Sequence, residues 1–357
     1  MRATKLAALI LLTVACGKES ANSSATASST ASSGSVDLTG AGATFPYPIY
    51  SKWFADYANQ NGVKINYQSI GSGGGIRQLS EQTVDFGASD SPMSDDEMSK
   101  AKGGPVIHIP TVLGAVVITY NIPGQSAPLN LNASAIADIF AGKITKWNDA
   151  RIASLNSGAK LPANDILVVH RSDGSGTTFI FTDYLSKAVS AWSSSVGKGK
   201  EVKWPVGLGA KGNEGVAGQI KQTPGAIGYV ELAYAKQNNL PFAAIANKAG
   251  KNIVASVPGV TAAAAGAAAT LPTNTDYRIS IVDAPGADSY PISSFTWILV
   301  YQNQRDATKG KKLLDFLNWA LTTGEGEASS LDYAPLPADM AAKVREKLAT
   351  IHLAPAK

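Results

Sequence analysis

From Val36 onward the chain alternates short apolar runs with stretches whose apolar residues recur three and four positions apart. VKINYQSI (63–70) and AVVITYNI (115–122) are rich in β-branched residues and tyrosine, are bounded by glycine-rich corners, and read as strands. PIYSKWFADYANQ (48–60), SAIADIFAGKI (134–144) and KGKKLLDFLNWALTTG (309–324) carry the helical repeat and one apolar face each. VTAAAAGAAATLP (260–272) adds a surface helix of high intrinsic propensity and little chemistry. Alternation of this kind predicts an α/β fold, with helices covering the faces of sheets. At 357 residues the chain is long for one ordinary domain, yet no Pro- or Gly-rich linker divides it. A discontinuous arrangement accounts for both facts. The chain crosses more than once between two α/β lobes, and a ligand site lies between them beside the carboxyl ends of strands.

The first fifteen residues break this pattern. MRATKLAALILLTVA (1–15) has a short basic start at Arg2 and Lys5, an apolar stretch and small residues before Cys16, as an export signal peptide does. Cys16 is the only cysteine, so a structural disulfide is excluded and the thiol reads as a lipid attachment point. Thr13 stands where lipoprotein signals usually have leucine, and the alternative is a cysteine that happens to lie near an ordinary cleavage site. Residues 16–35 are rich in Ser, Ala and Thr without apolar periodicity and read as a flexible tether. No later run is long and apolar enough to span a membrane, so membrane contact is expected only through the lipid, on the extracytoplasmic side.

Charge and composition narrow the chemistry further. The formal net charge of +4 is small for the length, and no Lys/Arg cluster suggests a nucleic-acid face. The three histidines, His108, His170 and His352, stand in no metal-ligand spacing. Ser175 is followed by glycine, but Asp173 occupies the place where a nucleophile elbow needs glycine. GAGATF (40–45) and GSGGGI (71–76) lack the last glycine of a dinucleotide fingerprint. Neither catalysis nor a cofactor or metal is implied.

A glycine and hydroxyl composition recurs three times, in GAGATF, GSGGG (71–75) and DGSGTT (173–178), each after an expected strand and before an expected helix. Glycines let backbone approach a ligand, and the exposed N–H groups of a helix start favour an anion. Ordinary capping is the alternative for any one loop alone. Arg171 beside the third loop offers a guanidinium that can meet two oxygens of a tetrahedral anion, and Asp173 is placed to hold it. In VDFGASDSPMSDDEM (84–98) a buried strand is expected to end at Phe86, leaving Asp90 at a strand-to-helix corner. A carboxylate in the same pocket repels an anion by about 4 kcal/mol at about 4 Å and an effective dielectric of about 20. That cost is tolerable only for a guest that donates a proton, as phosphate can and sulfate cannot. Asp90 as a plain helix cap is the alternative.

Together these segments resemble the phosphate-binding proteins of bacterial high-affinity ABC phosphate importers. The resemblance runs from about Leu38 to about Asp339 through LTGAGATFPYPIYSKW, INYQSIGSGGGIRQ, TVDFGASDSPMSDDEM, GKITKWND, RSDGSGTTFIFTDYL, VKWPVGLGAKGN and PGAIGYVE. It implies two Rossmann-like lobes of type II periplasmic binding proteins joined by hinge strands, with lobe I at 36–112 plus 292–357 and lobe II at 113–291. It implies inorganic phosphate bound without transformation by Thr44, Phe45, Ser72, Asp90, Arg171, Ser175, Gly176 and Thr177, with Asp173 orienting Arg171. It further implies a monomer that delivers phosphate to a membrane permease driven by a cytoplasmic ATPase. His170 and Gly73 depart from the family pattern, the latter leaving only a backbone N–H. Rival expectations are an exported phosphatase using Ser175 or Thr177 with His170, and a receptor for sulfate or molybdate.

Overall fold

The computed structural model describes residues 38–125, 127–268 and 276–355. The expected signal peptide, the tether and Cys16 lie outside the described residues. Eight strands form the main sheet: β1 Leu38–Gly42, β2 Ile65–Ser69, β3 Phe86–Ser89, β4 Val106–Tyr120, β5 Leu167–Arg171, β6 Leu208–Ala210, β7 Ala226–Glu231 and β8 Ser293–Tyr301. Their spatial order is β2-β1-β3-β8-β4-β7-β5-β6. β1 runs parallel to β2 and β3, and β5 parallel to β6 and β7, while β4 and β8 run antiparallel to their neighbours. The principal helices are α1 Tyr47–Asn61, α2 Ser72–Ser80, α3 Asp95–Ser99, α4 Ala133–Phe140, α5 Gly176–Ala188, α6 Gly212–Gln222, α7 Leu232–Gln237, α8 Val257–Ala268 and α9 Ala307–Ala320.

The long strand β4 joins two half-sheets. Its first part, from Val106 to Ala115, pairs with β8, and from Val116 to Tyr120 it pairs with β7. All 15 of its residues are buried. The sequence pattern marks 115–122 as a strand, and the structure begins it nine residues earlier, at Val106. The structure accommodates Pro110 at a register shift opposite Thr296 and Trp297, where Thr111 is left out of the ladder. A bulge is one of the few places where a central strand tolerates proline. Thr111 is held there by its side chain, 2.7 Å from the Tyr50 hydroxyl and 3.3 Å from the Thr296 carbonyl.

A second difference concerns the Asp90 corner. β3 begins at Phe86, where the sequence suggests that a strand ends, and runs on to Ser89. Gly87, Ala88 and Ser89 have little β propensity, but α2 packs directly on β3, with the Gly75 carbonyl 3.2 Å from where a Gly87 Cβ would lie. Small residues are needed at that contact, and tertiary packing overrides propensity. The next residues are pinned by His108, whose Nε2 accepts from the Met93 N–H at 3.0 Å. Burial, with the Arg278 charge, pushes that imidazole down to about 4, so it stays neutral and able to accept. Ser94 and Glu97 then start α3 with a reciprocal capping box.

α1 shows how the helical repeat is used. Ile49, Tyr50, Trp53, Phe54 and Tyr57 form its buried face, and Phe54 meets Phe86 of β3 and Phe316 of α9. Each such buried side chain contributes about 1.5–3 kcal/mol. The helix ends at Gly62, whose left-handed backbone (φ 69°) closes the last turn through its N–H to the Ala58 carbonyl. α8 buries its small-residue side, Gly259, Val260, Ala263, Ala264 and Ala267. The anchored ends of α1, α2, α5 and α6 position the site.

Candidate anion site

The three glycine and hydroxyl loops each follow a strand and precede a helix: β1 to α1, β2 to α2 and β5 to α5. The contacts below join the first turns or leading loops of α1, α2, α5 and α6. Helix starts present N–H groups and a partial positive charge, so their meeting suits an anion. Gly71 is required between two of them. It has φ +89°, and a Cβ there would lie 2.2 Å from Asp173 Oδ2. Gly73, next along, spends its N–H on the Gly174 carbonyl at 2.8 Å.

Arg171 ends β5 and is 4% exposed. Its Nε and Nη2 donate to the two Asp173 oxygens at 2.7 and 2.5 Å, a bidentate pair, and its Nη1 donates to Thr177 Oγ1 at 3.3 Å. Burial pushes the Asp173 carboxyl up, but the Arg171 bonds and charge, with the Gly212 N–H, outweigh this and hold it below the ordinary range. The Arg171 backbone N–H donates to the Tyr229 hydroxyl at 3.1 Å. Arg171 is thus held by both its guanidinium and its backbone.

On the opposite side Ser72, the first residue of α2, accepts from the Gly176 N–H at 3.0 Å and from the Asp90 N–H at 3.2 Å. Asp90 follows β3 directly and is 1% exposed. Its Oδ1 accepts from the Thr296 hydroxyl at 2.8 Å, while Oδ2 lies 3.5 Å from Ser72 Oγ. Burial pushes the Asp90 carboxyl up to about 7, with the Thr296 bond, the Arg171 charge and Ser72 pulling against that rise and Asp173 adding to it. A Cβ on Gly176 would lie 2.6 Å from Asp90 Oδ2 and 2.5 Å from Ser72 Oγ, so glycine permits the close approach. Ser175 caps α5, its Oγ accepting from the Thr178 N–H at 3.0 Å.

Thr44, Phe45, Ser72, Asp90, Arg171, Ser175, Gly176 and Thr177 are all buried. Thr44 joins Thr177 through Asn213, whose Nδ2 donates to Thr44 Oγ1 at 2.7 Å and to Thr177 Oγ1 at 3.0 Å. The Phe45 carbonyl accepts from the Tyr333 hydroxyl at 2.6 Å. His170, by contrast, stacks on Trp204 with ring centroids 4.8 Å apart, and its Nδ1 lies 3.0 Å from the Arg171 carbonyl. It supports the strand end and belongs to an aromatic cluster.

Two residues in this network escaped sequence reasoning. Asn213 stands in GAKGN at the start of α6, a signal that counted only as part of a family landmark. Thr296 lies in an apolar strand 206 residues from the carboxylate it serves, and no local pattern pointed to it. Among the described residues, no group of three or more His, Cys, Asp or Glu is placed to hold a metal ion.

Comparison with known proteins adds to this geometry. Residues 22–323 match the PBP superfamily domain. The chain is 46% identical to the phosphate-binding protein PstS of Pasteurella multocida over 314 residues, 88% of this chain and 90% of that protein. It is also 46% identical to PstS of Xylella fastidiosa, over 87% of this chain and 84% of that one. Among solved structures, a high-affinity periplasmic phosphate-binding protein bound with phosphate (PfluDING) aligns with TM-score 0.70 at 23% identity, covering 87% of this chain and 93% of that one. That likeness shows a shared fold.

Proposed function

The chain belongs to the PstS phosphate-binding proteins of the PBP superfamily, and from that premise we propose that it captures inorganic phosphate between two lobes and delivers it, unchanged, to an ABC-type import permease. The fold is the mixed α/β fold of type II periplasmic binding proteins. The observation that carries the reading is the meeting of Arg171, four buried hydroxyls and one buried carboxylate at the starts of several helices. Thr44, Phe45, Ser72, Arg171, Ser175, Gly176 and Thr177 supply donors to the guest, and Asp90 accepts its proton. Asp173 keeps the guanidinium aimed.

Lobe I comprises 36–112 with 292–357, and lobe II comprises 113–291. Supporting this division, β4 changes partner between Ala115 and Val116. Contacts between these segments fit a closed state: Gly176 to Ser72 at 3.0 Å, Gly73 to Gly174 at 2.8 Å, and Lys200 to Glu97 at 2.6 Å. Closure replaces water around the anion with fixed donors, and the permease reads the closed shape. The protein is exported and held to a membrane by a lipid on Cys16. The basic start, apolar stretch and small residues of 1–15 support that part of the reading.

Titration calorimetry tests the function. Phosphate is expected to bind tightly, with sulfate failing to displace it at equal concentration, and a phosphate ester incubated with the protein is expected to release no phosphate above background. Equal competition by sulfate would sink the assignment.

Gly176→Ala provides a finer check, because the added methyl falls on Ser72 Oγ and Asp90 Oδ2. Phosphate affinity is expected to fall by about 1–3 kcal/mol, the usual cost of overpacking. The same calorimetry measures it.

A further inference from the structure

Asn213 lies outside the set of phosphate contacts just proposed, yet it touches two of them. It is fully buried. Its orientation is fixed by the Glu231 backbone N–H, which donates at 2.9 Å to the side-chain atom facing it. A backbone N–H can only donate, so that atom is Oδ1, and the amide's two hydrogens point the other way. They go to Thr44 Oγ1 at 2.7 Å and Thr177 Oγ1 at 3.0 Å.

Counting lone pairs gives the consequence. Thr44 Oγ1 accepts a second bond from the Asn213 backbone N–H at 3.2 Å, and Thr177 Oγ1 a second from Arg171 Nη1 at 3.3 Å. A hydroxyl that already accepts twice has only its hydrogen left to offer. We propose that Asn213 is a specificity-determining positioning residue that locks the Thr44 and Thr177 hydroxyls as donors toward the guest. Guest oxygens facing them must then be bare, and the guest's proton is directed to Asp90. Dibasic phosphate, with three bare oxygens and one hydroxyl, satisfies this pattern. Monobasic phosphate brings a second proton that neither threonine can accept. The charged and titratable groups around the cluster are Arg171 at the end of β5 with Asp173 just beyond it, Asp90 after β3, Tyr229 and Glu231 on β7, Tyr234 on α7, Glu214 on α6, and Tyr333. All of them are kept in the comparison below, so their own titration is common to every protein measured.

The inference rests on the phosphate reading, and the test separates the two. Phosphate affinity is measured by calorimetry at about pH 8 and about pH 5.5 for the unchanged protein, Asn213→Leu and Asn213→Ala, with thermal unfolding to confirm that each is folded. Both replacements are neutral and free one lone pair on each threonine. Asn213→Leu is expected to lose about tenfold more affinity at the higher pH than at the lower, the worth of about one hydrogen bond. Asn213→Ala, which admits water able to donate, is expected to shift the ratio in the same direction but less, and decides the question if the leucine variant does not fold. Equal losses at both pH values overturn the inference and leave phosphate binding intact. Failure of the unchanged protein to bind phosphate overturns the reading beneath it.

Discussion

Arg171→Ala is expected to weaken phosphate binding by about 3–5 kcal/mol, roughly two to four powers of ten in Kd. The guanidinium is nearly inaccessible, with 1% of its side chain exposed, and two of its nitrogens are spent on Asp173. Deleting it therefore does two kinds of harm. The anion loses a desolvated counter-charge, and the Asp173 carboxylate loses the partner that keeps it compensated beside the anion. Arg171→Lys restores the charge but not the planar fork, so its affinity is expected to fall between the two. Calorimetric titration of the three proteins decides this, and an alanine variant with undiminished affinity would refute the role.

Asp90→Asn is expected to do the opposite of most buried substitutions, admitting a new guest while making the phosphate-free protein more stable. A buried negative charge next to sulfate costs about 4 kcal/mol at about 4 Å and an effective dielectric of about 20. Removing it should lower the preference for phosphate over sulfate by at least about a hundredfold in competition binding. The stability effect follows from linkage. Burial pushes the folded carboxyl up to about 7 from the ordinary aspartate value of about 3.8. Its relative contribution is therefore fully present below about 3.8 and is lost as pH rises through about 7. Above neutrality the ionised group is a burden of about 4 kcal/mol that asparagine does not carry. Tm measured without phosphate at about pH 8.5 should be higher in the variant, and at about pH 4 the two proteins should converge. A lower Tm at alkaline pH, or unchanged rejection of sulfate, contradicts the account.

The sequence made the donors legible because each is a local feature: glycine and hydroxyl residues at a helix start, or an arginine at a strand end. Thr44, Ser72, Arg171 and Thr177 needed only short windows. The supports were not legible, because they arrive from distant parts of the chain. Thr296 reaches Asp90 from a strand read as plain core, and Asn213 reaches Thr44 across 169 residues. The same limit shaped the strands. β3 runs on from Phe86, where the sequence suggests an end, because its small side chains answer to α2, and β4 starts nine residues before the run at 115–122, crossing Pro110 at a bulge. The alternation of strands and helices survived these errors, since it depends on many windows at once.

One consequence of the shared strand concerns length rather than composition. Beyond the bulge at Thr111, side chains alternate between the two faces along β4, and the strand is paired on one side or the other from Val112 to Tyr120. A single residue gained or lost near Ala115 would turn every side chain beyond it to the wrong face, putting one half-sheet out of phase with the other. Homologous chains should therefore vary freely in the turn at 123–125, while β4 keeps a fixed residue count even where its letters change.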